Sequence, residues 1–227
     1  MPYPIATLPY PFRRRLRQLL SPAELYQLQI ATGSLDDNKD LLPLQTCNFI
    51  ENLVFEKDDT KIALIWAKSF AEKIKLSGNN LYNVKNVHLG NLNESTLSDL
   101  EFHNVVTTNI ANLHIVGCEV TIHFLASLSR RKVKPTFLKI HSWSSLCTGT
   151  AKFSQLFEVF PTLEECSFKN FLMSGWVESM VDYGRTNLEV MSIWNSNFRI
   201  MVDFKPVKLY QFVKCQDKAS SHYFTPR

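Results

Sequence analysis

Any chemistry this chain performs has to come from a small set of side chains. His88 and His114 hold matched places in two neighbouring stretches, and His141 sits in a third. Imidazoles so placed can bind a metal, but a metal site needs three or four converging ligands held by oriented supporting groups. No carboxylate stands at a matched position, and Glu165 falls two strands beyond His114 in the register given below. A metal is therefore not expected. Cys147 and His141 are of the types that make a thiol nucleophile and its base, yet nothing in the sequence orients them. Asp36-Asp37 and Asp58-Asp59 lie beside expected helix starts, where carboxylates act as caps. The chain contains no G-x-S-x-G, no H-E-x-x-H and no G-x-x-x-x-G-K-[ST]. No catalytic residue, no cofactor and no enzyme activity are expected.

The elements that position the histidines repeat. Val84-x-x-Val87-x-Leu89-x-x-Leu92 is followed by Ile110-x-x-Leu113-x-Ile115-x-x-Cys118 and Pro135-x-x-Leu138-x-Ile140-x-x-Trp143. Leu163-x-x-Cys166-x-Phe168-x-x-Phe171 and Leu188-x-x-Met191-x-Ile193-x-x-Ser196 complete the set. From Val87 to Leu113, Leu138, Cys166 and Met191 the steps are 26, 25, 28 and 25 residues. A near-constant period of this length marks a solenoid, which offers a broad surface to a macromolecule and usually lacks a catalytic cleft.

Helical spacing recurs between the stretches, over 120–128, 151–160 and 173–183, so each repeat reads as a strand followed by a helix. The expected fold is therefore α/β, a leucine-rich-repeat-like solenoid over 47–218. Ile50-x-x-Leu53-x-Phe55 fits as an opening strand, and a helix is expected from Lys61 to Ile74 with Trp66 and Phe70 in its core face. Leu97-x-x-Leu100-x-Phe102 fits either a half-repeat or a helix. Val207-x-x-Tyr210-x-Phe212-x-x-Cys215 is expected to be an atypical terminal repeat, and 219–227 a polar tail.

Composition agrees with a packed, intracellular protein. Of 227 residues, 45% are hydrophobic and 20% charged, which suits a folded chain. A net charge of +4 is too small to imply nucleic acid. No apolar run approaches the ~18 residues of a membrane span, and no leader-like apolar segment precedes a cleavage site. The expected location is the cytoplasm, the nucleus or both, with no membrane partner. Cys47, Cys118, Cys147, Cys166 and Cys215 are odd in number and form no C-x-x-C pair. Cys118 and Cys166 fall on apolar repeat positions, where a reduced thiol packs as a small hydrophobe.

Two short helices are expected ahead of the repeats, in a segment spanning 1–33, with a linker over 34–46. Phe12, Leu16, Leu19 and Leu20 make one apolar stripe, and Arg13, Arg14, Arg15 and Arg17 lie largely opposite. Ser21, Pro22 and Glu24 then make a capping box for a second helix bearing Leu25, Leu28 and Ile30. A pair this small cannot bury its own apolar face and must dock on the repeats or on a partner.

In type and spacing, Leu8-Pro9, Leu16, Leu20, Ser21-Pro22, Glu24-Leu25 and Leu28 resemble the F-box. The whole chain looks similar to the divergent F-box families of nematodes. Two departures are plain: Pro11 stands where the family has an acidic residue, and 33–40 is a polar loop where a third helix would follow. The resemblance implies a substrate-recognition subunit of a cullin-type ubiquitin ligase. Leu8, Pro9, Leu16, Leu20, Pro22 and Leu25 would then bind a Skp-type adaptor, and the repeats an unidentified protein target. The alternative is a free-standing scaffold or regulatory binder whose vestigial F-box only caps the repeats.

The target face follows from strand geometry. If positions 4 and 6 of each repeat point into the core, positions 3, 5 and 7 point to the open side. Position 5 collects His88, His114, Lys139, Ser167 and Ser192. Position 3 collects Asn86, Asn112, Phe137, Glu165 and Val190, and position 7 collects Gly90, Val116, His141, Lys169 and Trp194. The target-binding residues expected from this map are His88, His114, Val116, Phe137, Lys139, His141, Lys169 and Trp194, with the aromatics as anchors. The basic runs Arg13-Arg14-Arg15-x-Arg17 and Arg130-Arg131-Lys132-x-Lys134 do not interleave aromatics, so nucleic acid is not expected.

Overall fold

A computed structural model describes residues 8–32, 45, 47–58, 61–65, 81–99, 105–142, 152–171, 175–184 and 187–215. Its strands are β1 (Cys47–Asp58), β2 (Lys61–Ile65), β3 (Leu81–Gly90), β4 (Val105–Val106), β5 (Asn112–Val116), β6 (Phe137–His141), β7 (Glu165–Lys169) and β8 (Val190–Trp194). They form one sheet in the order β2-β1-β3-β5-β6-β7-β8, with β4 paired beside β3. Only β2 runs antiparallel, against β1. The chain is thus α/β, and from β5 onward each strand adds beside its predecessor.

The pairing follows the apolar pattern. Val87, Leu113, Leu138, Cys166 and Met191 are cross-strand partners in one continuous row, and Leu89, Ile115, Ile140, Phe168 and Ile193 in the next. Leu53 and Phe55 of β1 extend both rows. A one-residue slip would turn every one of these side chains to solvent, so burial fixes the register. Leu113, Ile115, Leu138, Ile140, Cys166 and Phe168 are all buried.

One face of the sheet is covered by α4 (Ile122–Arg130), α5 (Phe153–Val159) and α6 (Trp176–Tyr183). Phe124, Leu125 and Leu128 of α4, Phe153, Leu156 and Phe157 of α5, and Trp176, Val177 and Met180 of α6 join the strand residues in a single core. Phe153 meets Phe168 edge-on, with ring centroids 4.8 Å apart, a geometry that adds about 0.5–1.5 kcal/mol beyond area burial. α4 starts where Thr121 accepts a hydrogen bond from the Phe124 amide at 3.1 Å. Three strand exits need a left-handed residue. Asn91, Gly117 and Asn170 take φ of 54°, 65° and 51°, and Asn and Gly are the types that tolerate it. Their amides continue the ladder, each donating to the next strand's terminal carbonyl, those of Val116, His141 and Trp194.

Two expectations are corrected. Residues 61–65 do not begin a helix; they form β2 and pair with Val54–Asp58. Ile62 and Ile65 fit a helical face and a strand equally in so short a run, and the free edge of β1 decides between them. Residues 207–215 are not a terminal strand but lie in helix α8 (Pro206–Cys215). Pro206 suits the first helical position. Phe212 is buried and Leu209 packs beside the core, while Val207 and Tyr210 face solvent. Leu97 lies buried on α3 (Glu94–Asp99). Leu100 and Phe102 lie outside the described residues, as do Trp66, Phe70, Trp143, Cys147, most of 34–46, and the tail over 219–227.

Candidate functional site

Two surfaces hold the residues singled out from sequence. The first is the helical pair, α1 (Tyr10–Leu19) and α2 (Pro22–Thr32). The capping box is present: the Ser21 amide donates to Glu24 Oε2 at 3.0 Å, and the Glu24 amide donates to Ser21 Oγ at 3.4 Å. The Ser21 amide and hydroxyl hold the Glu24 carboxyl below its usual range. Leu25 is buried at 5% exposure, packed by Leu20 and Leu28 in a cluster separate from the main core. Leu16 and Pro22 are half-buried, whereas Leu8 and Pro9 are exposed.

α1 buries no residue at all. Tyr10, Phe12 and Leu19 are 60%, 66% and 65% exposed. Of the apolar stripe read from the sequence, Phe12 and Leu19 are exposed and Leu16 and Leu20 half-buried, and Ile30 of α2 is also exposed. The link to the sheet runs through α2. Gln29 Oε1 accepts from the Gln45 amide at 3.0 Å, and Tyr26 hydrogen-bonds Cys47 at the start of β1. Lys132 stands 4.0 Å from Glu24, but both side chains are largely exposed, so this pair adds little.

The second surface is the face of the sheet that no helix of the described residues covers. His88, His114, Lys139, Ser167 and Ser192 run across five strands as register partners. Gly90, Val116, His141, Lys169 and Trp194 form the row beside them. His88 and His114 are in ring contact, and the His114 ring also lies 5.5 Å from Phe137. Lys169 Nζ sits 4.9 Å above the Trp194 ring, a cation–π contact on the outermost strand. Val116, Phe137, Lys139 and His141 are half-buried, and Lys169 and Trp194 are exposed.

The electrostatics of this face are one-sided. Burial lowers the His114 imidazole to about 4, helped by His88 and Lys139. Burial, then Lys139, lowers His88. Burial, then Lys169 and Lys139, lowers His141. The charged neighbours that lower these rings are Lys139, Lys169 and, for His114, His88. Among the described residues, no carboxylate pairs with Lys139 or Lys169.

Sequence reasoning missed one feature of this face. Asn86 donates to Asn52 Oδ1 at 2.8 Å, and Asn112 donates to Asn86 Oδ1, making a side-chain ladder over β1, β3 and β5. The signal was available, because Asn86 and Asn112 share position 3 and the β1 pattern places Asn52 there too. Among the described residues, no group of three His, Cys, Asp or Glu side chains converges as a metal site would require. No helix of the described residues is long and apolar enough to cross a membrane. Compared with known proteins, the chain matches no family model, no curated protein and no solved structure.

Proposed function

We propose that this chain is a non-catalytic adaptor. In this reading, the strand–helix units form a short leucine-rich-repeat-like solenoid and the helical pair is an F-box-like docking element. The helical pair binds a Skp-type adaptor of a cullin-type ubiquitin ligase, and the uncovered strand face receives the target protein. The observation that carries the reading is the exposed half of the α1 stripe, Phe12 and Leu19, which no described residue buries. Phe12 and Leu19 share one face of the helix and are both more than half exposed, and Tyr10 is exposed on the opposite face. An isolated apolar residue in solvent means little, and two on one helix face support an interaction surface. Arg13, Arg14, Arg15 and Arg17 on the same helix favour an acidic partner.

A second reading, a regulatory binder whose helical pair only caps the repeats, draws support from the buried Leu25 and the Gln29–Gln45 bond. Capture from cell extract separates the two. The wild-type chain is compared with a Pro9→Ala/Leu20→Asp variant whose folding is checked by circular dichroism. Recovery of a Skp-type adaptor and a cullin by the wild type alone supports the ligase reading. Recovery by neither folded chain removes it and leaves the cap.

A further inference from the structure

Among the described residues, the stack of strands stops at β8 without a polar end. Leu113, Ile115, Leu138, Ile140, Cys166 and Phe168 are at most 2% exposed, whereas Met191 and Ile193, next in the same two rows, are only half-buried. A repeat stack is ordinarily closed by a terminal unit with a polar outer face. Here the stretch 190–213 instead exposes Trp194, Phe198, Tyr210 and four valines. An aromatic side chain can bury ~150–250 Å², so these three rings, 47%, 69% and 65% exposed, present roughly 300–450 Å² by themselves. The valines and the edge of the strand bring that toward the ~800 Å² per partner that a stable dimer buries.

The strand edge is open as well. Among the described residues, β8 has one strand neighbour, β7, in an unbroken register. An edge strand presents a row of unpaired amides and carbonyls, and proteins guard such rows with charges, proline or bulges. Val190-Met191-Ser192-Ile193-Trp194 contains no charged residue and no proline, whereas β2 at the opposite edge carries Lys61.

We propose that β8 pairs antiparallel with β8 of a second copy of this chain, about a two-fold axis through Ser192, so that two sheets become one. Centring on Ser192 is the antiparallel register that pairs all five residues of the strand. Val190 then faces Trp194 of the second copy on the open side, and Met191 faces Ile193 of the second copy on the core side. Both pairs are apolar, the kind of cross-strand contact that stabilises a sheet. The flanking charges are complementary. On β7, Lys169 adjoins Trp194 and Glu165 adjoins Val190. The row across the interface therefore runs Lys169, Trp194, then Val190 and Glu165 of the second copy, with a cation at one end and an anion at the other. The contact is isologous, so it closes at two copies instead of growing a fibre. The helical pair takes no part, and the inference stands or falls independently of the ligase reading.

The test is sedimentation equilibrium of the full chain over a range of micromolar concentrations. The expected result is twice the single-chain mass, falling on dilution. Val190→Lys and Trp194→Glu, both at exposed sites, should each weaken association by about ten-fold or more while circular dichroism stays unchanged. Combined, they set the new cation opposite the new anion and should bring association back to within about three-fold of the wild type. Ser192→Cys should form an intermolecular disulfide on mild oxidation, because facing residues of antiparallel strands lie within the Cα spacing of about 4.4–6.8 Å that such a bond needs. A single-chain mass at every concentration would overturn the proposal. A dimer indifferent to Val190→Lys and Trp194→Glu would put the contact elsewhere and also overturn it. A chain that dimerises only after removal of 216–227 would give the edge to its own tail, and a mass climbing past two copies would mean an open fibre; either result sinks the two-fold pairing.

Discussion

The imidazoles of His88 and His114 are in contact across β3 and β5, with ring centroids 4.3 Å apart and planes inclined at 43°. They are direct register partners in a parallel pair, which holds their Cα atoms side by side. Two rings so close, with Lys139 on the following strand, cannot both carry a proton at low cost. The pair therefore stays neutral at pH 7.

A stability profile should reveal this. His114 titrates at about 4 in the folded chain, while an unfolded histidine titrates near its ordinary value of 6.5. Between those values the unfolded chain binds more protons, so stability is full above about pH 6.5 and declines as pH falls toward about 4. The ring is only half-buried, and solvent screening reduces the effect to roughly 1–2 kcal/mol. Urea midpoints at neutral and at acidic pH should separate further in the wild type than in His114→Gln. Identical separation in the two proteins would rule the histidine out as the source.

The start of α4 offers a local test. Thr121 Oγ1 accepts from the Phe124 amide, and Phe124 is fully buried in the core between helix and sheet. Thr121→Ala should destabilise the chain by about 1 kcal/mol, and Thr121→Ser should retain most of the stability. Equal losses in both variants, read from urea unfolding, would assign the effect to the lost methyl rather than the cap.

The register of the sheet was legible because two constraints coincide. Alternation puts Leu113 and Ile115 on one side, and the 25–28-residue interval lays Leu138, Cys166 and Met191 beside them. The His88–His114–Lys139 row follows with no further information. Lys61–Ile65 and Val207–Cys215 were misread for the opposite reason. Both carry apolar residues at i and i+3, which a strand template and a helix share, and only their neighbours decide. The α1 stripe was readable as a stripe. Whether it meets the repeats or solvent depends on how α2 docks on β1, and that rests on single contacts such as Gln29 with Gln45, which periodicity does not encode. The Asn52–Asn86–Asn112 ladder was hidden because polar residues on an open face carry no burial signal.

The cysteines at repeat positions should be inert. Burial raises the Cys118 thiol to about 11, and its Sγ bridges the Leu92 amide and the Leu89 carbonyl, each at 3.3 Å. Cys166 is raised further by burial alone, among Leu138, Phe168 and their neighbours. Thiolate is the reactive form, so iodoacetamide at pH ~8 should leave both unmodified in the folded chain and label them in urea. Mass spectrometry of the native protein showing either residue labelled at the rate of the urea-unfolded chain would contradict this packing.

Phe168 and Phe12 should behave as opposites, though both are aromatic and both lie on apolar patterns. Phe168 is 1% exposed and packed edge-on against Phe153, whereas Phe12 is 66% exposed on a helix that buries nothing. Phe168→Ala removes transfer energy and leaves a cavity, so it should cost about 3–5 kcal/mol in urea unfolding. Phe12→Ser combined with Leu19→Ser should change stability by less than about 0.5 kcal/mol, as substitutions at open surface sites do. If α1 is a docking element, that same double variant should lose capture of the Skp-type adaptor while keeping the wild-type urea midpoint. If α1 instead caps the repeats, the double variant should unfold earlier. A stability loss above about 1 kcal/mol in that variant would place the stripe in the fold and take away the main support for the adaptor reading.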